Sequence, residues 1–138
     1  SDHRRQRQMC IRDRIRDMLA RHFRYLGYEV DTAENGKDAL AKLDEDRTDI
    51  VISDIMMPEM NGVDLLYHLR RDHPMVRAIM ITGYVTLENA MGCMRNGAET
   101  CVFKPIEDLS NLETAVDQVV SRINNWHGIL RDLQGMKP

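Results

Sequence analysis

Apolar residues recur along this chain in two alternating rhythms, one helical and one of short unbroken runs. Between residues 15 and 26, Ile15, Met18, Leu19, His22, Phe23 and Leu26 fall at helical spacing, and Gly27 stands where a helix is closed. Residues 28–33 read as a short strand, Asn35-Gly36 as a turn, and residues 37–43 as a second helix with Ala39, Leu40 and Leu43 inward. Asp49 then introduces Ile50–Asp54, a β-branched run of the kind buried on both faces of a parallel sheet. Residues 56–62 form a loop by Pro58 and Asn61-Gly62, and Val63, Leu65, Leu66 and Leu69 mark the helix that follows. After Pro74 a second buried-type strand, residues 78–82, ends in Thr82. Gly83-Tyr84 turns the chain into a helix carrying Leu87, Ala90, Met91 and Met94, which stops at Asn96-Gly97. Thr100–Phe103 is a third buried strand, and Ser110 to Glu113 read as a capping box opening the last helix.

Strands alternating with helices across short connections predict a doubly wound α/β sheet, with right-handed crossovers placing helices on both faces. In such sheets the functional crevice lies beyond the carboxyl ends of the strands. Three strands deliver Asp54, Thr82 and Lys104 to that edge. A carboxylate, a hydroxyl and an ammonium thus converge from separate parts of the chain.

Composition narrows the class further. The 138 residues suit one domain, and no apolar run approaches the roughly 18 residues that span a bilayer. Cys10, Cys93 and Cys101 are odd in number and lack metal-ligand spacing, so neither a disulfide framework nor a zinc site is expected, and a reducing cytoplasm is the expected compartment. The net charge of −3 divides into a basic first 24 residues, with eight Arg against three Asp, and an acidic remainder. That acidity argues against nucleic acid as a partner.

A carboxylate on a tight loop can attack a phosphoryl group, because phosphoryl transfer is catalysed chiefly by positioning and charge compensation. A nearby lysine neutralises phosphoryl oxygens and a threonine hydroxyl donates to one. Singly, each residue is also an ordinary loop or strand-end residue; together, at successive strand ends, they are a site. Asp54-Ile55-Met56-Met57-Pro58 with Gly62, then Ile81-Thr82-Gly83, then Phe103-Lys104-Pro105, resemble the signature of the receiver domain of two-component response regulators. The resemblance implies a flavodoxin-like (β/α)5 sheet of order 2-1-3-4-5. It also implies that Asp54 accepts a phosphoryl group from a sensor histidine kinase or phosphotransfer protein, and that Thr82 and Lys104 bind phosphoryl oxygens. The Lys104-Pro105 peptide would be cis, and Mg²⁺ would be held by Asp54, by the backbone carbonyl of Met56 and by an acidic pair at the end of the first strand.

Several residues depart from that pattern. Cys101 stands three positions before Lys104, where the family usually has an aromatic ring that moves on activation, so the resemblance does not carry the family's output coupling over to this chain. Cys101 reads as a small buried thiol, with a redox sensor as the sharper alternative. Met56 and Tyr84 occupy positions that in the family tune attack by water, and their bulk predicts a long-lived phosphoryl state.

The largest departure is at the start. Counting back from the first helix, the acidic pair should fall at Cys10 and Ile11, and neither is acidic. The preceding Arg5-Gln6-Arg7-Gln8-Met9 lacks the apolar side chains of a central parallel strand, so the first strand is expected to be missing or degenerate. Residues 4–13 resemble the one-frame translation of a widely used transposon-end sequencing adapter. Residues 1–14 therefore read as a non-native segment, residues 15–125 as the receiver domain, and residues 126–138 as a helix extension and tail. On this reading Mg²⁺ binding by the chain is weak.

Leu112, Val116, Val119, Ile123, Trp126, Leu130 and Leu133 form a heptad seam. The first four suit packing on the sheet; the last three suit a homodimer, a continuing signalling helix, or a turn folded back on the domain. No effector segment follows, which suits a single-domain regulator or a fragment of a longer protein. The expected function is a phosphoacceptor switch that processes only its own aspartyl phosphate and is not a metabolic enzyme. The alternative is a pseudo-receiver acting as a phosphorylation-independent interaction or dimerisation module. An aspartate-nucleophile phosphatase would need a second acid where Met56 stands. Kinase, output partner and pathway are not identified by these residues.

Overall fold

The computed structural model describes residues 7–11, 16–55, 60–82, 86–103 and 109–136, with the backbone alone for 7–11, 82 and 103. Ten elements alternate along it: β1 (Arg7–Ile11), α1 (Arg16–Tyr25), β2 (Glu29–Ala33), α2 (Gly36–Glu45), β3 (Ile50–Asp54), α3 (Gly62–Asp72), β4 (Arg77–Thr82), α4 (Leu87–Arg95), β5 (Thr100–Phe103) and α5 (Ser110–Gly135). All strand pairs are parallel, in the order β2-β1-β3-β4-β5.

Period-two alternation in the central strands divides the core between two faces. Ile50 and Ile52 of β3 and Ile79 and Ile81 of β4 pack with Leu19 and Phe23 of α1 and with Leu112, Val116 and Val119 of α5. Val51, Ala78 and Met80 join the other layer, with Ala39 and Leu43 of α2, Leu65, Leu66 and Leu69 of α3, and Cys93 of α4. Strands buried on both faces need apolar residues at every position, which is why residues 50–52 and 78–81 are unbroken runs.

The helix boundaries follow local chemistry. Asn35, Asn61 and Thr86 cap α2, α3 and α4 by accepting from the backbone N–H three residues on. Gly27 and Gly97 take positive φ, 101° and 82°, where α1 and α4 turn into strands, a conformation glycine adopts without steric cost.

Three expectations are corrected. Of the two expectations for the first strand, missing or degenerate, the first is overturned: the segment RQMCI is polar for a central strand but is not missing from the sheet. It forms β1 and pairs on both sides, with Gln8 opposite Val30 and Ile50, and Cys10 opposite Thr32 and Ile52. The physical reason is that β2 and β3 flank a gap one strand wide, and the main-chain groups lining it demand partners whatever side chains the inserted segment carries. Side-chain hydropathy was the wrong criterion for that position.

The capping box at Ser110 does not form. Leu109 is the N-cap of α5 in αR geometry, with no side-chain cap. Glu113 instead joins His22 across to α1. Finally, the end of α5 does not fold back: the helix runs unbroken through Gly128 for 26 residues, burial ends at Ile123, and Trp126, Leu130 and Leu133 stand about half exposed. No helix among the described residues is long and apolar enough to cross a membrane.

Candidate functional site

The site is assembled at the carboxyl edge of the sheet. Asp54 is the last residue of β3, half-buried, after three residues with no exposed surface to speak of and the buried Ser53. Ser53 Oγ donates to the Asp54 carbonyl oxygen at 3.0 Å. The chain is then held against β4, since Ile55 N–H donates to the Ile81 carbonyl at 3.1 Å. It returns to the same point at α3, where Gly62 N–H donates to the Ile55 carbonyl at 2.7 Å.

That return requires glycine. A Cβ on Gly62 would lie 2.7 Å from the Asp54 carbonyl oxygen, 2.8 Å from Ile55 Cα and 2.6 Å from Met80 Cε. Two of those neighbours are main chain and cannot swing aside. The sequence marks Asn61-Gly62 only as a turn; the close approach to Asp54 is visible in the tertiary structure alone.

Asp54 lies opposite Ile81 in the β3–β4 register, so Thr82 ends β4 one residue beyond it. Thr82 in turn lies opposite Phe103, the residue before Lys104. Asp54 and the backbone of Thr82 are therefore brought together on adjacent strands. Lys104, Pro105, Met56 and Tyr84 lie outside the described residues, as does the Lys104-Pro105 peptide.

The end of β1 flanks Asp54 on its other side. Ile11 lies opposite Ser53 in the β1–β3 register, which puts Cys10 and Ile11 at the positions from which an acidic pair would reach a cation beside Asp54. Mg²⁺ takes oxygen ligands in near-octahedral geometry, with carboxylates among them. Those two residues supply a thiol and a hydrocarbon. No cluster of three or more His, Cys, Asp or Glu that could hold a metal occurs among the described residues. The residues present do not fit a Mg²⁺ site of that kind.

Cys101 lies in β5 opposite Met80, half-buried, and packs against the core cluster that contains Cys93, a neighbourhood that sequence reasoning did not connect to it. Burial, and then the neighbouring Cys101, push the Cys93 thiol up to about 11. Burial raises Cys101 as well, with the neighbouring Cys93 acting in the opposite direction.

A carboxylate presented in this way, with a hydroxyl-bearing strand end beside it, can act as a phosphoryl acceptor. Comparison with known proteins bears on that chemistry. A family model for the response regulator receiver domain matches residues 12–117. The chain is 35% identical over 108 residues to regulatory protein AtoC of Escherichia coli, covering 78% of this chain and 23% of AtoC. It is 31% identical over 113 residues to response regulator SaeR of Staphylococcus aureus, covering 82% of this chain and 49% of SaeR. The chain therefore spans from about a quarter to about half of these relatives. Among solved structures, a response regulator receiver domain protein from Methanospirillum hungatei superposes with a TM-score of 0.80 at 28% identity, covering 87% of this chain and 98% of that one. Response regulator TrrA from Thermotoga maritima, in complex with Mg²⁺ and BeF, superposes with a TM-score of 0.74 at 29% identity, covering 83% and 98%.

Proposed function

The chain belongs to the response regulator receiver family, and on that premise we propose that it is a phosphoacceptor module of a two-component signal transduction system, with Asp54 as the acceptor. An Asp54 carboxylate oxygen forms the new O–P bond as the P–N bond of a phosphohistidine breaks, and the donor's imidazole leaves. Thr82 donates to one phosphoryl oxygen and Lys104 neutralises another. The donor is a sensor histidine kinase or phosphotransfer protein, and phosphorylation alters binding to an output partner. The module is a switch rather than a metabolic enzyme: its catalysis is confined to its own aspartyl phosphate. Met56 and Tyr84, bulky residues at sequence positions that in the family tune attack by water, are expected to prolong that state.

One observation carries this reading: Asp54 ends a central strand whose other residues are all buried, and Gly62 at the start of α3 packs on its backbone. A second reading, a pseudo-receiver working unphosphorylated as an interaction module, is favoured by Cys10 and Ile11 at the end of β1.

Exposure to a small phosphodonor such as phosphoramidate, followed by intact-mass measurement with and without Mg²⁺, separates the two. We expect the chain to gain one phosphoryl group slowly, without response to Mg²⁺, and Asp54→Asn to gain none. Absence of labelling under both conditions establishes the pseudo-receiver. Labelling unchanged in Asp54→Asn overturns the assignment of the acceptor.

A further inference from the structure

The last helix leaves its domain without changing register. Leu130 follows Leu112 by eighteen residues, which is five whole turns at 3.6 residues per turn, so the two side chains point in the same direction. Leu112 has no exposed surface and packs with the strands, whereas Leu130 is 49% exposed. The stripe that lies on the sheet therefore continues past Ile123, its last buried position, and faces the open space beyond the amino ends of the strands. Trp126, Ile129, Leu133 and Met136 join Leu130 there, between 38% and 68% exposed. From Asn124 to its end at Gly135 the helix projects for twelve residues, about 18 Å.

We propose that this projecting end of α5 is the contact surface of an antiparallel homodimer, in which the final turns of one helix lie along the final turns of a second copy. Two observations select that occupant. The first is steric. Because the exposed stripe is in phase with the buried one, a parallel partner laid on it would carry its own first half into the space that the sheet occupies. An antiparallel partner runs the other way, so each domain sits beyond the free tip of the other's helix and the two do not overlap. The second is charge. From Asn124 to Met136 the only formal charges, Arg131 and Asp132, are adjacent and cancel, and helical spacing puts neither on the stripe. A copy of the same helix meets no repulsion there, and a strongly charged partner finds nothing to pair with.

The pairing is self-complementary. With the two-fold axis between positions 131 and 132, Leu130 of each copy lies opposite Leu133 of the other, and Trp126 lies opposite Met136. Five side chains from each copy bury on the order of 1,000 Å² in total, at the lower end of specific interfaces, so the dimer is weak and forms only in concentrated protein. The contact lies at the amino edge of the sheet and leaves Asp54, at the carboxyl edge, open to a phosphodonor.

The test uses the full chain. Sedimentation velocity at about 5 µM and about 500 µM, either side of the dissociation constant expected for so small a contact, should show a monomer and then a species approaching twice its mass. Leu130→Asp should stay monomeric at both concentrations with an unchanged far-UV circular dichroism spectrum, since Leu130 is half-exposed in its own domain. Leu87→Asp, at an apolar residue 77% exposed on α4, should associate like the unsubstituted chain. Orientation is read by mixing Trp126→Cys with Met136→Cys, oxidising with diamide and mapping tryptic peptides, because cleavage after Arg131 separates the two positions. We expect a link from position 126 of one copy to position 136 of the other. A monomer at the higher concentration overturns the proposal, as does association that survives Leu130→Asp and is lost in Leu87→Asp. A link from 126 to 126 overturns the antiparallel order. None of these readouts involves Asp54, so the outcome is independent of phosphoryl acceptance.

Discussion

The backbone of Gly62 packs so closely on that of Asp54 that a methyl group at Gly62 would sit 2.7 Å from the Asp54 carbonyl oxygen. The contact binds the start of α3 to the end of β3 at Asp54 and Ile55. Because the neighbours are main chain, Gly62→Ala must push the two elements apart. It is expected to cost about 1–3 kcal/mol in urea denaturation, as other overpacking changes do, and to slow phosphoryl labelling of Asp54. Gly128→Ala is the contrasting change. It lies mid-helix in α5, with only Arg131 Nη2 at 3.9 Å, and is expected to stabilise by about 0.5–1 kcal/mol.

The ends of β1 and β3 make a second prediction about the same edge. Replacing Cys10 and Ile11 by aspartate would place two carboxylates beside Asp54. A metal that compensates phosphoryl charge contributes several kcal/mol. The double variant Cys10→Asp/Ile11→Asp should therefore be labelled by phosphoramidate on the order of a hundredfold faster with Mg²⁺ than without it. Equal rates with and without the ion would show that this edge is not where the cation binds.

Alkaline pH should weaken the fold through two buried acids. Cys93 is pushed up from 9.0 to about 11, by burial first and then by Cys101. Tyr28 is pushed up from 10.0 to about 12, by burial first and then by Asp117 and Glu113. Both groups are neutral when protonated, and both hold the proton more tightly folded than unfolded. Their contribution is fully present below pH 9 and is lost as pH rises, through about 11 for Cys93 and about 12 for Tyr28. Denaturation midpoints measured from pH 8 upward should fall, and Cys93→Ala should flatten the part of the slope that begins near its unfolded pKa. An unchanged slope would mean that the thiol ionises as readily folded as unfolded.

Burial also separates residues that look equivalent in the helical patterns. Phe23 has no exposed surface and meets His22 and Tyr28 edge to face at 5.3 and 5.7 Å between ring centres. Phe23→Ala is expected to cost about 3–5 kcal/mol. Trp126 continues the α5 seam but is 55% exposed. Trp126→Ala should change stability by no more than about 0.5 kcal/mol in dilute protein. A larger loss would place the end of α5 against another surface in solution.

The amino-acid sequence by itself determined the elements whose signals are local. The unbroken runs at 50–54 and 78–82, the heptad spacing of α5, and the glycines at 27 and 97 each lie within a few residues and match the elements observed. The motif around Asp54, with Thr82 and the segment before Lys104, was legible because strand ends in a doubly wound sheet share one edge. Only the tertiary structure decided what depends on partners distant in the chain. It seated the polar segment Arg7–Ile11 in the middle of the sheet, because unpaired main chain on β2 and β3 outweighs the side chains between them. It turned Glu113 from a cap into a partner of His22. It brought Gly62 onto Asp54 and gathered Cys93 and Cys101 into one core cluster. Periodicity states which face of an element is apolar; which atoms then touch is set by how whole elements pack.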